Sequence, residues 1–260
     1  MTLPLKQGII YGPVNSRRYG RSLGINLMPC TGKLCSFNCV YCHYGWTKKH
    51  VLDAGRFASE MPAYEEVVRA VEQKVTSPVE FDLITFSGNG EPTLYPWFAD
   101  LVGAVVRLRN RHRPTARVAL LSNATGLKSD AVRRSITQID LPVFKLDAGT
   151  AKSFNAINRP VRGIMWQGIV DQLTEMSDGI CLQTVFLDGT PGNTTPDDLA
   201  AWQETIARIR PREVHIYSID RPVPETRLRL VPPARLKQIA RDTESKTGIP
   251  VRAFHPRSTG

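Results

Sequence analysis

Three cysteines within eight residues, Cys35, Cys39 and Cys42, are the part of this sequence whose types and spacing can do chemistry. They fall in the run Cys35-Ser36-Phe37-Asn38-Cys39-Val40-Tyr41-Cys42, a C-x3-C-x2-C pattern. Thiolates this close along a chain can ligate three corners of one iron–sulfur cube. Most cubanes take four cysteines, so a cube held by three leaves one iron open to a ligand that is not protein. The same residues joined by His43 or Cys30 would also make a four-ligand zinc knot. Cysteine spacing alone does not separate the two readings.

A second feature weighs against zinc. The run Phe86-Ser87-Gly88-Asn89-Gly90-Glu91-Pro92-Thr93-Leu94 directly follows the apolar stretch Leu83-Ile84-Thr85-Phe86. This reads as a strand delivering a glycine-rich turn that ends in a carboxylate. Glycine lets a ligand approach the backbone closely. The carbonyls of the turn, with Glu91, then offer acceptors to an ammonium group. A zinc-stabilised RNA-binding protein would leave this turn without a use.

Together the cysteine pattern and the Gly-x-Gly-Glu-Pro turn resemble the radical S-adenosylmethionine (radical SAM) superfamily. The resemblance implies that Cys35, Cys39 and Cys42 hold a [4Fe-4S] cluster whose fourth iron chelates the amine and carboxylate of S-adenosylmethionine (SAM). It implies that Gly88, Asn89, Gly90 and Glu91 meet the methionine ammonium. Tyr41, between two of the cysteines, reads either as lying against adenine or as packing beneath the loop. Other stretches resemble a subgroup related to the wyosine-forming tRNA enzymes: Tyr11-Gly12-Pro13-Val14-Asn15-Ser16-Arg17-Arg18, Lys145-Leu146-Asp147-Ala148, Ile157-Asn158-Arg159-Pro160 and Tyr217-Ser218-Ile219-Asp220-Arg221-Pro222. The wyosine-forming enzymes are expected to carry a second cluster. Here only Cys30 and Cys181 remain, too few for another cubane. The implied chemistry is reductive cleavage of SAM to a 5′-deoxyadenosyl radical that abstracts hydrogen from substrate, with the difficult step carried by the cofactors.

These residues need a scaffold. Apolar, β-branched runs at Leu23–Leu27, Leu83–Phe86, Val118–Leu121, Val143–Leu146, Cys181–Leu187 and Val214–Tyr217 predict strands. Helical patterns occupy Tyr64–Val75, Trp97–Arg109, Lys128–Ile136, Ile164–Met176, Pro196–Ile209 and Pro233–Thr247, and Arg56–Met61 reads as irregular. Such alternation predicts a parallel sheet with outer helices. Six strands fall short of a full eight-stranded barrel, so the fold class is α/β, an open, partial (βα)6 TIM-like barrel. Ile249–Phe254 reads as a short seventh strand or a closing tail. One domain is expected over 1–260, with an N-terminal segment at 1–21 and a C-terminal helix and tail at 223–260.

Ligands of parallel α/β folds gather at the carboxyl ends of strands. Ser122 and Asn123 follow the third strand, Lys145 and Asp147 close the fourth, Gln183 lies within the fifth and Tyr217 closes the sixth. Ser122, Asn123, Lys145 and Asp147 are candidates for the SAM carboxylate and ribose. Ser122-Asn123 and Asp147 read equally well as loop polar groups or helix caps. Lys145 could form a Schiff base, or act electrostatically. Cys181 reads as a buried small hydrophobe rather than a hydrogen-atom donor. Arg17 and Arg18 either hold a substrate phosphate or carboxylate or anchor the N-terminal segment. His43 is read as a hydrogen-bond partner of the cluster or a solvent-facing ring, and His215 faces either the barrel interior or the helices.

Composition narrows the partners. The net charge is +10, with 34 basic against 24 acidic residues. Such a surface attracts anions: nucleic acid, a nucleotide or an acidic protein. Arg107, Arg109, Arg111, Arg113 and Arg117 form either an RNA-facing stripe or a solvated helix end and loop. The substrate readings are tRNA or a nucleotide, a partner enzyme receiving a glycyl radical, and a peptide or small metabolite. A flavodoxin or ferredoxin would suit as one-electron donor. No run approaches the roughly 20 apolar residues that span a bilayer, Met1–Lys6 lacks a signal-peptide pattern, and five clustered cysteines do not make a disulfide framework. A cytoplasmic protein is the expectation.

Overall fold

The computed structural model describes residues 2–16 and 18–255. In chain order its strands are β1 (Ile10–Ser16), β2 (Gly20–Ile25), β3 (Leu34–Cys35), β4 (Lys49–His50), β5 (Leu83–Phe86), β6 (Arg117–Ser122), β7 (Leu141–Lys145), β8 (Cys181–Gly189), β9 (Glu213–Ser218), β10 (Leu228–Leu230) and β11 (Val251–Ala253). Its helices are α1 (Tyr64–Val75), α2 (Phe98–His112), α3 (Asp130–Ile136), α4 (Ala151–Ile157), α5 (Trp166–Met176), α6 (Pro196–Ile209) and α7 (Pro233–Thr247). The alternation of parallel strands and helices is that of a partial (βα)6 barrel, as expected. Two compact units can be distinguished, one of Pro4–Ser36 and Thr47–Val143, the other of Met1–Leu3, Phe37–Trp46 and Phe144–Gly260.

In the first unit, β2, β5 and β6 pair in parallel, with β1 antiparallel on the outer side of β2. All four residues of β5 are buried, the continuous apolar pattern of a strand covered on both faces. Val67 and Val71 of α1 and Leu101, Val102 and Val105 of α2 are buried with Ile84, Phe86, Val118 and Leu120 in this core. Glu66 accepts from the backbone N–H of Ala63 at 2.9 Å and so fixes the start of α1.

In the second unit, β8 and β9 pair in parallel, β11 adds in parallel to β9, and β10 lies antiparallel to the end of β8. The expected seventh strand is therefore present as β11. Trp202 of α6 is buried and donates to the Leu146 carbonyl at 3.2 Å and to Thr184 Oγ1 at 3.1 Å. Thr195, followed by Pro196, caps α6 by accepting from the Asp198 N–H at 3.2 Å. Gly248 ends α7 with φ of 69°.

Some boundaries differ from the sequence expectation. The first barrel strand is Gly20–Ile25 rather than Leu23–Leu27, because β1 pairs along it from Ile10↔Ile25 to Ser16↔Gly20. Residues 55–60, expected to be irregular, form a 3-10 helix. Helix α4, seven residues long, was not expected.

Candidate active site: two sulfur environments

In the first unit, the glycine-rich turn and Cys35 are tied together by backbone. Leu34 N–H donates to the Asn89 carbonyl at 3.1 Å, and Glu91 N–H donates to the Leu34 carbonyl at 3.1 Å. Gly90 has φ of 151°, and a Cβ there would stand 1.6 Å from the Leu34 carbonyl oxygen. Gly88, with φ of 130°, would place a Cβ 2.5 Å from Asn26 Oδ1. The turn thus needs glycine because protein backbone and Asn26 approach it, a constraint that the sequence reading assigned to a ligand. Asn89 is also braced: its side chain accepts from Lys6 N–H at 2.8 Å and donates to the carbonyls of Lys6 at 2.8 Å and Pro29 at 3.1 Å. Both N–H groups of its amide are used within the protein, so Asn89 braces the turn.

Glu91 is buried. Its Oε1 accepts from Thr93 N–H at 3.1 Å, Thr93 Oγ1 at 2.6 Å and Ser122 Oγ at 2.7 Å, and its Oε2 accepts from Asn123 N–H at 2.7 Å. Burial raises the carboxyl's pKa above the usual range, and these donors oppose that shift. Oε1 is saturated, which leaves Oε2 and the turn carbonyls as acceptors for an ammonium group. Asn123 turns its Nδ2 to Ser36 Oγ at 2.9 Å and to Cys35 Sγ at 3.7 Å. Cys35 itself is held by the short β3–β4 ladder, opposite His50, whose Nε2 lies 3.1 Å from the Ser36 carbonyl.

In the second unit, Cys39 sits beside a buried carboxylate. Asp147 follows β7, and its side chain is fully buried. Its Oδ1 accepts from Val185 N–H at 2.9 Å. Its Oδ2 accepts from Asn158 Nδ2 at 2.7 Å and from the Tyr41 hydroxyl, and lies 3.8 Å from Lys145 Nζ. Asn158 Nδ2 also lies 3.5 Å from Cys39 Sγ. Lys145 Nζ stands 5.0 Å from the centre of the Tyr41 ring. Burial pushes the Cys39 thiol up to about 11, with Lys145 opposing and Asp147 adding to the shift. Tyr41 is raised well above 10.0, first by burial and then by Asp147. A cysteine with such a thiol gives up its proton on binding a metal.

The structure therefore brings Tyr41, Cys39, Lys145 and Asp147 together, with Tyr217 of β9 contributing to the Tyr41 surroundings. Gln183 is buried on β8, two residues before Val185 and paired with His215. Cys181 is not part of this group. It starts β8, at the opposite end of the strand from the Asp147 loop, and Arg212 Nη2 lies 3.2 Å from its sulfur. Its thiol is raised by burial. His215 is buried against Glu213 Oε1 at 3.1 Å and the Phe254 ring. His43 stacks on Tyr44 with centroids 4.7 Å apart. Sequence reasoning assigned no role to Asn158, Thr93 or Asn26.

The arginine-rich stretch is not one stripe. Arg109 is buried and donates to the Ala116 carbonyl at 2.7 Å and to Asp140 at 2.6 Å. Arg113 donates to carbonyls at the end of α1, Val75 at 2.8 Å and Ser77 just beyond it. Only Arg107, Arg111 and Arg117 of the five are exposed. Arg18 lies over the Tyr19 ring at 5.3 Å, and Arg17 falls outside the described residues. Among the described residues, no helix is long and apolar enough to cross a membrane. Among them also, no three His, Cys, Asp or Glu side chains converge on one ion position; the thiolates of a cubane sit at separate corners.

Comparison with known proteins gives the family. A UPF0026 protein of Synechocystis sp. is 31% identical over 268 residues, covering 94% of this chain and 95% of that protein. A UPF0026 protein of Methanocaldococcus jannaschii is 30% identical over 223 residues, covering 84% of this chain and 65% of that protein. A radical SAM methyltransferase from Sphaerobacter thermophilus has a similar fold, with a TM-score of 0.59 at 12% identity over 91% of this chain and 67% of that one. The relatives are thus UPF0026 proteins, where the N-terminal and strand-end motifs pointed toward a wyosine-related subgroup. The family description "Radical SAM superfamily" matches residues 30–197, and the chain belongs to that superfamily, alongside its UPF0026 relatives.

Proposed function

We propose that this chain is an enzyme in which Cys35, Cys39 and Cys42 hold a [4Fe-4S] cluster and the surrounding residues hold SAM. The observation that carries the reading is that two cysteine sulfurs each meet an asparagine amide, Asn123 toward Cys35 and Asn158 toward Cys39. Ligand sulfurs of clusters are commonly met by N–H donors, so the donor set fits the group. Bound there, cluster and SAM would supply a 5′-deoxyadenosyl radical able to abstract hydrogen from substrate.

The chain's own residues would bind and orient. The carbonyls of Gly88 and Gly90 and the Oε2 of Glu91 accept the methionine ammonium. Ser122 acts by holding Glu91. Tyr41 is fixed by Asp147 so that its ring offers a face for adenine. Lys145 supplies positive charge for the SAM carboxylate, with Gln183 on β8 and Tyr217 on β9 as further contacts. Lys145 serves electrostatically rather than as a Schiff-base amine. A flavodoxin or ferredoxin delivers the electron.

The substrate class in this reading is tRNA or a nucleotide. The net charge of +10 supports it. So does the Arg159 guanidinium 4.8 Å over the half-exposed Trp46 indole, four residues beyond Cys42; such flat groups stack on bases. The decisive experiment is anaerobic reconstitution with iron and sulfide, then dithionite and SAM, with 5′-deoxyadenosine quantified beside Cys39→Ala. Product that depends on Cys39 supports the reading. Tight zinc with no iron uptake would overturn it. Deuterium transfer into 5′-deoxyadenosine from labelled tRNA, set against labelled peptide, then tests the substrate class.

A further inference from the structure

Asn158 ends α4 as its C-cap and is 1% exposed. Its backbone carbonyl accepts from Asn38 N–H at 3.0 Å, one residue before Cys39, so chain and side chain approach the cysteine loop together. A primary amide has two N–H groups. One goes to Asp147 Oδ2 at 2.7 Å, and the same nitrogen stands 3.5 Å from Cys39 Sγ. Both neighbours are acceptors, which leaves one sensible orientation: the nitrogen, not the oxygen, faces the sulfur. Asp147 is itself fixed by Val185 N–H and the Tyr41 hydroxyl. The amide is therefore gripped by one acceptor and aimed at the other.

We propose that Asn158 is a positioning residue that hydrogen-bonds the Cys39 thiolate and thereby sets the reduction potential of the group it ligates. The inference rests on the reading that Cys39 is a cluster ligand. Reduction adds one electron, and part of that negative charge resides on the ligand sulfurs. An N–H pointed at sulfur stabilises the reduced form more than the oxidised form, so it raises the potential. Asp147 acts in the opposite direction by its charge, and the interposed amide moderates it. Without the amide, a buried carboxylate and a thiolate would face each other in a low dielectric, which disfavours adding charge.

The test uses the full chain, reconstituted anaerobically as wild type, Asn158→Leu, Asn158→Val and Asn158→His. Iron content is measured first, then the midpoint potential by EPR-monitored titration. The expected result is about four irons per chain and a more negative midpoint in the Leu and Val variants. The histidine variant, which returns an N–H near the same place, recovers part of the shift. A merely structural asparagine would change melting temperature without this ordered change in potential. Loaded variants with the wild-type midpoint would overturn the proposal and leave the cluster reading standing. Failure of the wild type itself to take up iron would remove both. If the Leu and Val variants hold no cluster, protein labelled with nitrogen-15 at asparagine amides in an Asn123→Ser background decides the matter. A nitrogen-15 coupling in the pulsed EPR spectrum of the reduced cluster supports the bond, and its absence overturns it.

Discussion

The second unit contains two cysteine clusters built from similar parts. One has Cys39, Asp147 and Lys145, and the other has Cys181, Glu213 and Arg212. Each joins a thiol to a carboxylate and a cation, yet they sit at opposite ends of the strands. Around Cys181 the charges close on one another. Arg212 meets the sulfur, and Glu213 takes His215 at 3.1 Å and Arg252 at 3.1 Å. Around Cys39 the carboxylate is turned to neutral donors, Tyr41, Asn158 and Val185 N–H, while Lys145 stays 3.8 Å away. Similar chemistry is closed by charge pairing in one place and held by neutral donors in the other. Strand polarity decides which is which, because loops with room for ligands leave the carboxyl ends.

The largest test of this contrast is the pair of cysteine substitutions. Cys39→Ala should lower cluster loading and 5′-deoxyadenosine formation by more than about 100-fold, beyond the loss caused by removing an outer partner of a metal ligand. Cys181→Ala should leave both within about 2-fold and cost only about 1 kcal/mol of stability through the small cavity it creates. Iron analysis, product quantification and urea unfolding read the three quantities. Equal loss of loading in both variants would end the distinction.

The carboxylates should differ next. Asp147→Asn puts an amide where three donors converge and leaves one of them unpaired, at a cost of about 2 kcal/mol. Glu213→Gln keeps an acceptor for the buried His215 ring and loses only the charge facing exposed Arg252, so it should cost about 1 kcal/mol or less, with SAM cleavage unchanged. Urea denaturation of the metal-free proteins gives the order, and a reversed order would mean that the Glu213 cluster is the more tightly organised one.

The smallest effect is one of pH. Burial raises the Cys181 thiol above 9.0, so folding favours its protonated form. Its contribution to stability is full below the pKa of the unfolded thiol and is lost as pH rises through the higher folded value. Alkylation of Cys181 by iodoacetamide in the native protein should therefore stay slower than that of a free thiol between about pH 7 and 9. Peptide mapping checks it; a rate equal to that of the unfolded chain would mean that the thiol is not sequestered.

Much of the scaffold was legible in the residues. The limits of β5, α1, α6 and α7 agree with the sequence reading because each carries its own local pattern: four consecutive apolar residues in β5, amphipathic spacing in α1, Thr195-Pro196 opening α6 and Gly248 closing α7. Helix α4 was missed because seven residues hold too little periodicity. Strand β1 was missed because Gly12-Pro13 reads as a turn, whereas an edge strand tolerates proline. The glycine turn was found, but its physical cause was not, since nothing local says that the Leu34 carbonyl would press on Gly90. Asn158 lies 119 residues from Cys39, and only the folded chain brings its amide to that sulfur. The arginine stretch misled in a similar way, because the carbonyls and the carboxylate that occupy Arg109 and Arg113 come from other elements.

The contact between Gly90 and Leu34 makes two motifs mechanically one part. The strand that starts the cysteine loop and the turn that presents Glu91 share two reciprocal backbone bonds, with no side chain between them. Neither can be shifted, lengthened or exchanged for a homologous piece without moving the other. A designer who grafts this cysteine loop onto a new scaffold would have to transplant Leu34 and Gly88–Glu91 together, as a single cassette with a fixed internal distance.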